Sequence, residues 1–396
     1  MKRTRRVLLF VVALAAVLAA AIGAWGISGT NAPDLEFTTT ELAETAPETT
    51  AAPQVVTLMA VGDNLIHKSL YTQAKARGRD GSYDFAPAYE GVRELLAKAD
   101  LACINQETVV ASPAAGPPSS YPMFNSPVEL GDMVYDLGFR AVGLSNNHML
   151  DKGTKGALAN LDYWASKPGV TAYGAYRDAA DAAQAHILEV NGITFAFLGA
   201  TFSYNGLQLP RDSGLVMPLL EQEEVLHDLV EIARAAADVV VVSPHWGVED
   251  SQTVTDAQKL LARKLVSWGA DIILGTHPHV LQSMEFLEKP NGGHAFVAYS
   301  LGNFISAQAA APNLIGGVLE LSIIKENGGV SIERPQFHPV ITQYEGGFAN
   351  VRLISWENYT PALAAAHGVR RRDSRFGYNY IEALLRRTIP EEMLVF

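Results

Sequence analysis

A single cysteine, Cys103, stands in 396 residues, inside the apolar run Leu101-Ala102-Cys103-Ile104. An intramolecular disulfide is therefore excluded, and the setting reads as a buried thiol. The chain has no Gly-x-Ser-x-Gly elbow and no Walker-type phosphate loop, so neither a hydrolase serine nor a P-loop carries its chemistry. No cysteine lies between Gly23 and Gly29, which removes a lipoprotein attachment site. Basic residues are scarce too. Beyond the first six residues 26 Lys and Arg face 42 Asp and Glu, a net charge of −16 that disfavours non-specific nucleic-acid binding.

Charge is missing altogether from Val7 to Ile27, 21 residues preceded by Lys2, Arg3, Arg5 and Arg6. As a helix that stretch would be roughly 31 Å long, enough to span a bilayer, and the basic residues before it favour a cytoplasmic N-terminus. Residues 1–27 are thus expected to be a signal-anchor that leaves the rest of the chain outside the cell. A cleavable signal peptide, giving a secreted protein, is the alternative. Residues 28–53, rich in Thr, Ala, Pro and Glu, cannot bury enough surface to offset their ordering entropy and read as a disordered acidic tether. The expected globular part runs over 54–310, with 311–396 as its continuation.

Five polar clusters each stand where a short hydrophobic run ends. They are Gly62-Asp63-Asn64-Leu65-Ile66-His67, Asn105-Gln106-Glu107-Thr108, Ser145-Asn146-Asn147-His148, Pro244-His245-Trp246-Gly247 and Gly275-Thr276-His277-Pro278-His279. The preceding runs, such as the one reading DVVVVS, have the character of buried strands. Carboxylates, amides and imidazoles are thereby delivered to one edge, the ligand set of a divalent metal site; more than four such groups points to two ions. Between the runs lie helical patterns: one starting at Ser126-Pro127-Val128-Glu129 and stopping at Gly138, and others over 154–164, 219–237 and 257–268. Strand and helix in alternation imply an α/β core with largely parallel sheets.

Individual residues invite specific readings. An extended His277-Pro278-His279 would put both rings on one side. Asp63 and His67, four apart, would share a helix face. Asp151, three residues after His148, is placed to bond the imidazole and fix its tautomer. Asn303, in Ser300-Leu301-Gly302-Asn303-Phe304, either binds substrate or caps a turn, and Glu249 is either a partner of the site or a surface acid. Arg370, Arg371, Arg372, Arg375, Arg386 and Arg387 form a basic group near the C-terminus, readable as a solvated helix face or as a seat for a polyanion.

The order of these clusters resembles the calcineurin-like metallophosphoesterases. More closely, GDNLIH, NQET, NNHMLDKG, HWGVED, THPHVLQ and YSLGNF resemble the CapA family of poly-γ-glutamate capsule biosynthesis proteins, over about Val55 to Ser306. The resemblance implies a four-layer αββα sandwich of the metallo-dependent phosphatase type. It also implies two divalent ions (Mn, Zn, Fe or Mg) held by Asp63, His67, Glu107, Asn147, His245, His277 and His279, with Glu107 bridging. The superfamily's Asp-x-His block would place a histidine where Leu65 stands, and His67 is the candidate replacement. By the same resemblance His148 and Asp151 are the catalytic pair, and Asn64, Asn146, Trp246, Glu249 and Asn303 border the substrate. The implied function is extracytoplasmic synthesis, transfer or release of poly-γ-glutamate or a related envelope polymer, alongside other membrane proteins of capsule synthesis. A secreted phosphoesterase or nucleotidase, and a non-catalytic membrane-tethered assembly subunit, are the alternatives.

Overall fold

The computed structural model describes residues 52–396. The apolar stretch Val7–Ile27 and the linker up to residue 51 lie outside the described residues. Among the described residues no helix is long and apolar enough to cross a membrane.

The chain first lays down β1 (Gln54–Asn64), β2 (Leu101–Asn105), the short pair β3 (Val110–Ser112) and β4 (Ser126–Pro127), β5 (Phe139–Gly143) and β6 (Thr171–Tyr173). Then follow β7 (His186–Val190), β8 (Ile193–Thr201), β9 (Val239–His245), β10 (Ile272–Leu274), β11 (Met284–Glu288) and β12 (His294–Ala298). The last strands are β13 (Asn303–Ile305), β14 (Ile315–Glu326), β15 (Gly329–Glu345) and β16 (Ala349–Ser355). One sheet has the order β16-β15-β14-β1-β2-β5-β6, with β13 beside the end of β1; the other has the order β11-β12-β10-β9-β8-β7.

Side-chain alternation shows how the layers stack. In β9, Val239 and Val241 join the core shared with the first sheet, whereas Val240 and Val242 join a second core with Val230, Ala233, Ala262 and Leu265 from two helices. The same split separates Phe195 and Phe197 from Ala196 and Leu198 in β8, and Phe296 and Ala298 from Ala295 and Val297 in β12. A strand buried on both faces has no polar side to show, which is why these runs read as continuously apolar. Two sheets therefore pack face to face, with α4 (Glu223–Ala236) and α5 (Asp256–Trp268) on the outside of the second. On the first sheet's side lie α1 (Lys68–Arg77), α2 (Val128–Asp136) and α3 (Gly153–Ala165), and near the C-terminus comes α6 (Tyr378–Thr388).

The sheets are mixed rather than largely parallel. β1, β2, β5 and β6 run parallel, as do β8, β9, β10 and β12. By contrast β14, β15 and β16 add to the first sheet as antiparallel hairpins, and β7 and β11 close the second antiparallel. The cue for the largest hairpin was Asn327-Gly328, with φ of 51° and 79°, the left-handed pair that a two-residue turn requires. The helix expected from Ser126 begins two residues later: Ser126 sits in β4, and its hydroxyl meets that of Thr108 at 2.8 Å instead of capping. At α5 the sequence carries a full capping box, with Thr255 and Gln258 exchanging side-chain and backbone bonds.

Candidate metal centre

The parallel strands β1, β2, β5, β9 and β10 all end at one edge, and the two sheets bring those ends together. Thr201 at the end of β8 pairs with His245, which bridges to Thr276. Each cluster therefore leaves its strand into a shared, closed space: Asp63, Glu107 and His245 are wholly buried, and Asn147, His277 and His279 nearly so.

Asp63 accepts the Asn105 side-chain N–H at 2.7 Å through Oδ1, while its Oδ2 accepts Nδ1–H of His279 at 2.9 Å and the backbone N–H of His277 at 3.3 Å. Glu107 differs. Both its oxygens are buried and neither has a hydrogen-bond partner; Nε2 of His245 and Nε2 of His279 each lie 3.7 Å from Oε1. The His245 ring is bracketed by Asn147 Oδ1, 3.1 Å from Nε2, and Thr276 Oγ1, 2.9 Å from Nδ1. Nδ1 of His277 is buried and unpartnered as well. Two ligand groups emerge whose donor atoms lie within 4.8 Å of one another: Asp63, Glu107 and His279, and Glu249, His277 and His279. His279 belongs to both.

The electrostatics point to missing positive charge. Burial, reinforced by the charge of Asp63, raises the Glu107 carboxyl well above its usual range. For His279, burial alone would lower the ring; Glu107 and the bond to Asp63 overcome it and lift the pKa to about 10. Both shifts have one origin, two carboxylates in a dry site that attract any proton available. Burial and then the other imidazoles pull His277 down to about 4 and His245 well below its ordinary value. Two imidazoles held neutral beside carboxylates that draw protons for want of a cation are a donor set suited to a divalent ion, and an unpartnered Glu107 has no other account in the fold.

The His-Pro-His turn is not extended. His277 and His279 have φ of 96° and 59°, a left-handed backbone uncommon outside glycine, and their ring centroids are 5.9 Å apart. Backbone strain of this kind persists only where the surroundings impose it. Here Asp63 receives both the His277 N–H and the His279 ring, and Pro278 accepts the backbone N–H of Asp250 at 2.9 Å.

Beside this cluster, Nδ1–H of His148 donates to Asp151 Oδ2 at 2.8 Å, which leaves Nε2 as the free nitrogen. Asp151 is held in turn by the Phe124 N–H at 2.6 Å, and the Phe124 ring meets His148 edge-on at 4.7 Å.

Other expected residues are engaged elsewhere. His67 is partly buried, packs against Phe124 and receives the Ala307 N–H at 3.3 Å; it belongs to neither of the two ligand groups of the edge. Asn64 is spent between Gln106 and Tyr89, and Asn146 between Gln106 and the His148 N–H. The Trp246 indole donates to Tyr299 O at 2.8 Å within the helix-side core, and Asn303 donates to Ser306, Gln308 and Asn313. These contacts tie the four residues to the loops around the site, and Asn303 Oδ1 alone stays without a partner. Glu249, expected at the substrate, stands instead with His277 and His279. Sequence reasoning missed the sixth strand end, β8, from which Phe202 covers His277 at 4.3 Å between centroids and Asn205 accepts the Asn147 N–H at 3.2 Å. The run reading FAFLGAT before them carried the same signal as the other five.

Residues 57–308 match the family model described as bacterial capsule synthesis protein PGA_cap. The chain belongs to that family. Among known proteins this capsule synthesis family member is similar to the PGA biosynthesis protein CapA of Bacillus subtilis (strain 168), with 30% identity over 274 residues, 67% of either chain. It is also similar to the capsule biosynthesis protein CapA of Bacillus anthracis, with 35% identity over 191 residues, 44% of this chain and 42% of that one. The chain thus spans under half of the second relative. Among solved structures, the calcineurin-like phosphoesterase YfkN from Bacillus subtilis aligns with 12% identity over 84% of this chain and 99% of that one, at a TM-score of 0.42. A likeness that distant carries no conclusion about chemistry.

Proposed function

We propose that this chain is an extracytoplasmic, membrane-tethered protein that acts on poly-γ-glutamate or a related anionic envelope polymer during capsule synthesis, at a two-metal site on a fold of the metallo-dependent phosphatase type. One observation carries the chemical part. Glu107 is a wholly buried carboxylate with no partner, ringed by imidazoles and a second carboxylate. Asp63, Glu107, Asn147, His245, His277 and His279 would hold the ions, with Glu249 at the mouth. A divalent metal bound there supplies Lewis acidity and a water acidic enough to act as nucleophile near neutral pH.

The chain's own residues do the rest. His148, oriented by Asp151, can give or take a proton at Nε2 beside the metal cluster. Phe202 screens His277 from bulk water, and the Gly247–Thr255 loop is pinned by Gln282, which donates to Ser251 O and Thr253 O. The names of the two relatives support the polymer, and the basic residues before Val7–Ile27 support the topology. Purified full-length protein in detergent, given Mn²⁺ or Zn²⁺, is expected to shorten or transfer γ-glutamyl polymer, with no comparable turnover of phosphoesters. Turnover of nucleotides or phosphomonoesters alone would replace this reading by a phosphoesterase.

A further inference from the structure

The last 36 residues, which lie beyond the family match, carry six arginines against four carboxylates in a chain whose net charge is −12. Two of those arginines are neutralised where they stand: Arg375 by Asp373, and Arg386 by Glu382 and Glu391. Arg371, Arg372 and Arg387 are exposed and, among the described residues, pair with no carboxylate.

Topology puts these three beside the site. Val61 of β1 pairs with Val318, and Gly316, two residues further toward the site edge, pairs with Val340 of β15. β15 runs on from Val340 to Glu345, so its hairpin with β16 stands roughly 16 Å beyond the level of Asp63 at about 3.3 Å per residue. Onto that hairpin fold Arg371, whose guanidinium lies against Gly346, and Arg372, 5.6 Å from the Phe348 ring. Arg387, on α6, donates to Gln252 Oε1 at 3.1 Å, and Gln252 returns a bond to Thr388 at 3.0 Å. Two residues earlier Asp250 donates to Pro278, between the two site histidines. The C-terminal segment thus carries guanidinium groups without a carboxylate partner onto the hairpin that extends past the site edge and onto the loop that leads to Pro278.

We infer that Arg371, Arg372 and Arg387 form a docking track that holds the carboxylates of an anionic polymer while one of its segments enters the metal centre. The inference rests on the polymer reading above and extends it to the residues that grip the chain outside the site. Guanidinium groups present a planar fork that fits carboxylates two-on-two, and repeated side-chain carboxylates can engage several forks at once. An anionic bilayer is a poorer fit. Juxtamembrane lipid recognition draws on clusters of about four to eight cations, and here three stand among Asp373, Glu382, Glu391 and Glu392.

The test is binding, kept apart from turnover. Full-length protein in detergent with EDTA is titrated with fluorescent polyglutamate of about 50 residues, by anisotropy, at low and physiological salt. The triple variant R371Q/R372Q/R387Q is expected to bind about tenfold more weakly and with less salt sensitivity, since each exposed contact is worth about twofold in affinity. Arg375→Gln and Arg386→Gln, whose charges are already paired, should change affinity less than twofold. Circular dichroism and thermal melting confirm that each variant folds. Equal weakening by the paired arginines would overturn the track in favour of diffuse charge. So would polymer binding untouched in the triple variant, or a loss confined to phosphatidylglycerol vesicles. Because the titration needs no metal and no catalysis, a failure of the polymer-processing reading shows as absent turnover with binding intact.

Discussion

Glu107→Gln removes one charge and almost no volume, and it separates two demands the site makes on that residue. In the metal-free protein burial and Asp63 hold the carboxyl well above its usual range, so the folded state keeps a proton that the unfolded chain releases. A raised folded-state pKa gives stability below the unfolded value near 4.3 and loses it as pH rises through the folded one. Without metal, therefore, wild type should lose stability between pH 5 and 8 more steeply than the glutamine variant. With metal the order reverses. Two unit charges 4 Å apart attract by about 4 kcal/mol at an effective dielectric of about 20, and more for a divalent ion at closer range, so losing Glu107 should weaken binding by at least about 10³. At a metal concentration of about 100 Kd, binding stabilises wild type by about 2.7 kcal/mol. Spread over the 345 described residues at about 2.1 cal/mol/K each, that is an upward shift of about 4 °C. Differential scanning fluorimetry of both proteins, with EDTA and with Mn²⁺, reads all four values. An equal metal-induced shift in the variant would refute the argument that Glu107 is unpartnered because it awaits a cation.

Four further outcomes follow from the same geometry. His148→Ala should lower turnover by about 10² or more with metal content unchanged, whereas His277→Ala should lower both, measured by steady-state kinetics and elemental analysis. His277 is depressed to about 4, so its contribution to stability is complete above about pH 6.5 and is lost as pH falls through 4. His279, raised to about 10, must shed its proton to bind metal, so metal affinity should climb with pH from 6 to 9 by isothermal titration. Phe296→Ala, emptying a wholly buried site between the sheets, should cost about 3–5 kcal/mol in denaturant unfolding while sparing metal affinity in the folded state.

The strand ends were legible because a strand buried on both faces must be apolar throughout, so the first polar residue after it marks an edge. Asp63, Glu107, Asn147, His245, His277 and His279 were found that way. Phe202 and Asn205 were not, although the run before them has the same character, because no carboxylate or imidazole follows that run. Sequence spacing could not show that Asn64, Asn146 and Trp246 bond to neighbours far away in the chain. Nor could it show the positive φ at His277 and His279, which tertiary contacts with Asp63 impose on a segment that reads as extended. The antiparallel strands β14 to β16 lay beyond the motif-bearing region and went unread, although Asn327-Gly328 forms the turn between the first two.

The central claim, that the buried edge is a metal centre, is tested most directly by anomalous diffraction from crystals of the protein grown with Mn²⁺ or Zn²⁺. The account predicts one or two peaks within about 2.0–2.6 Å of a Glu107 oxygen and of His279, with Asp63, Asn147, His245 and His277 completing the ligands. Crystals that bind metal only at the half-buried His227 and the exposed Asp228 and Glu231 on α4, or nowhere, would contradict it.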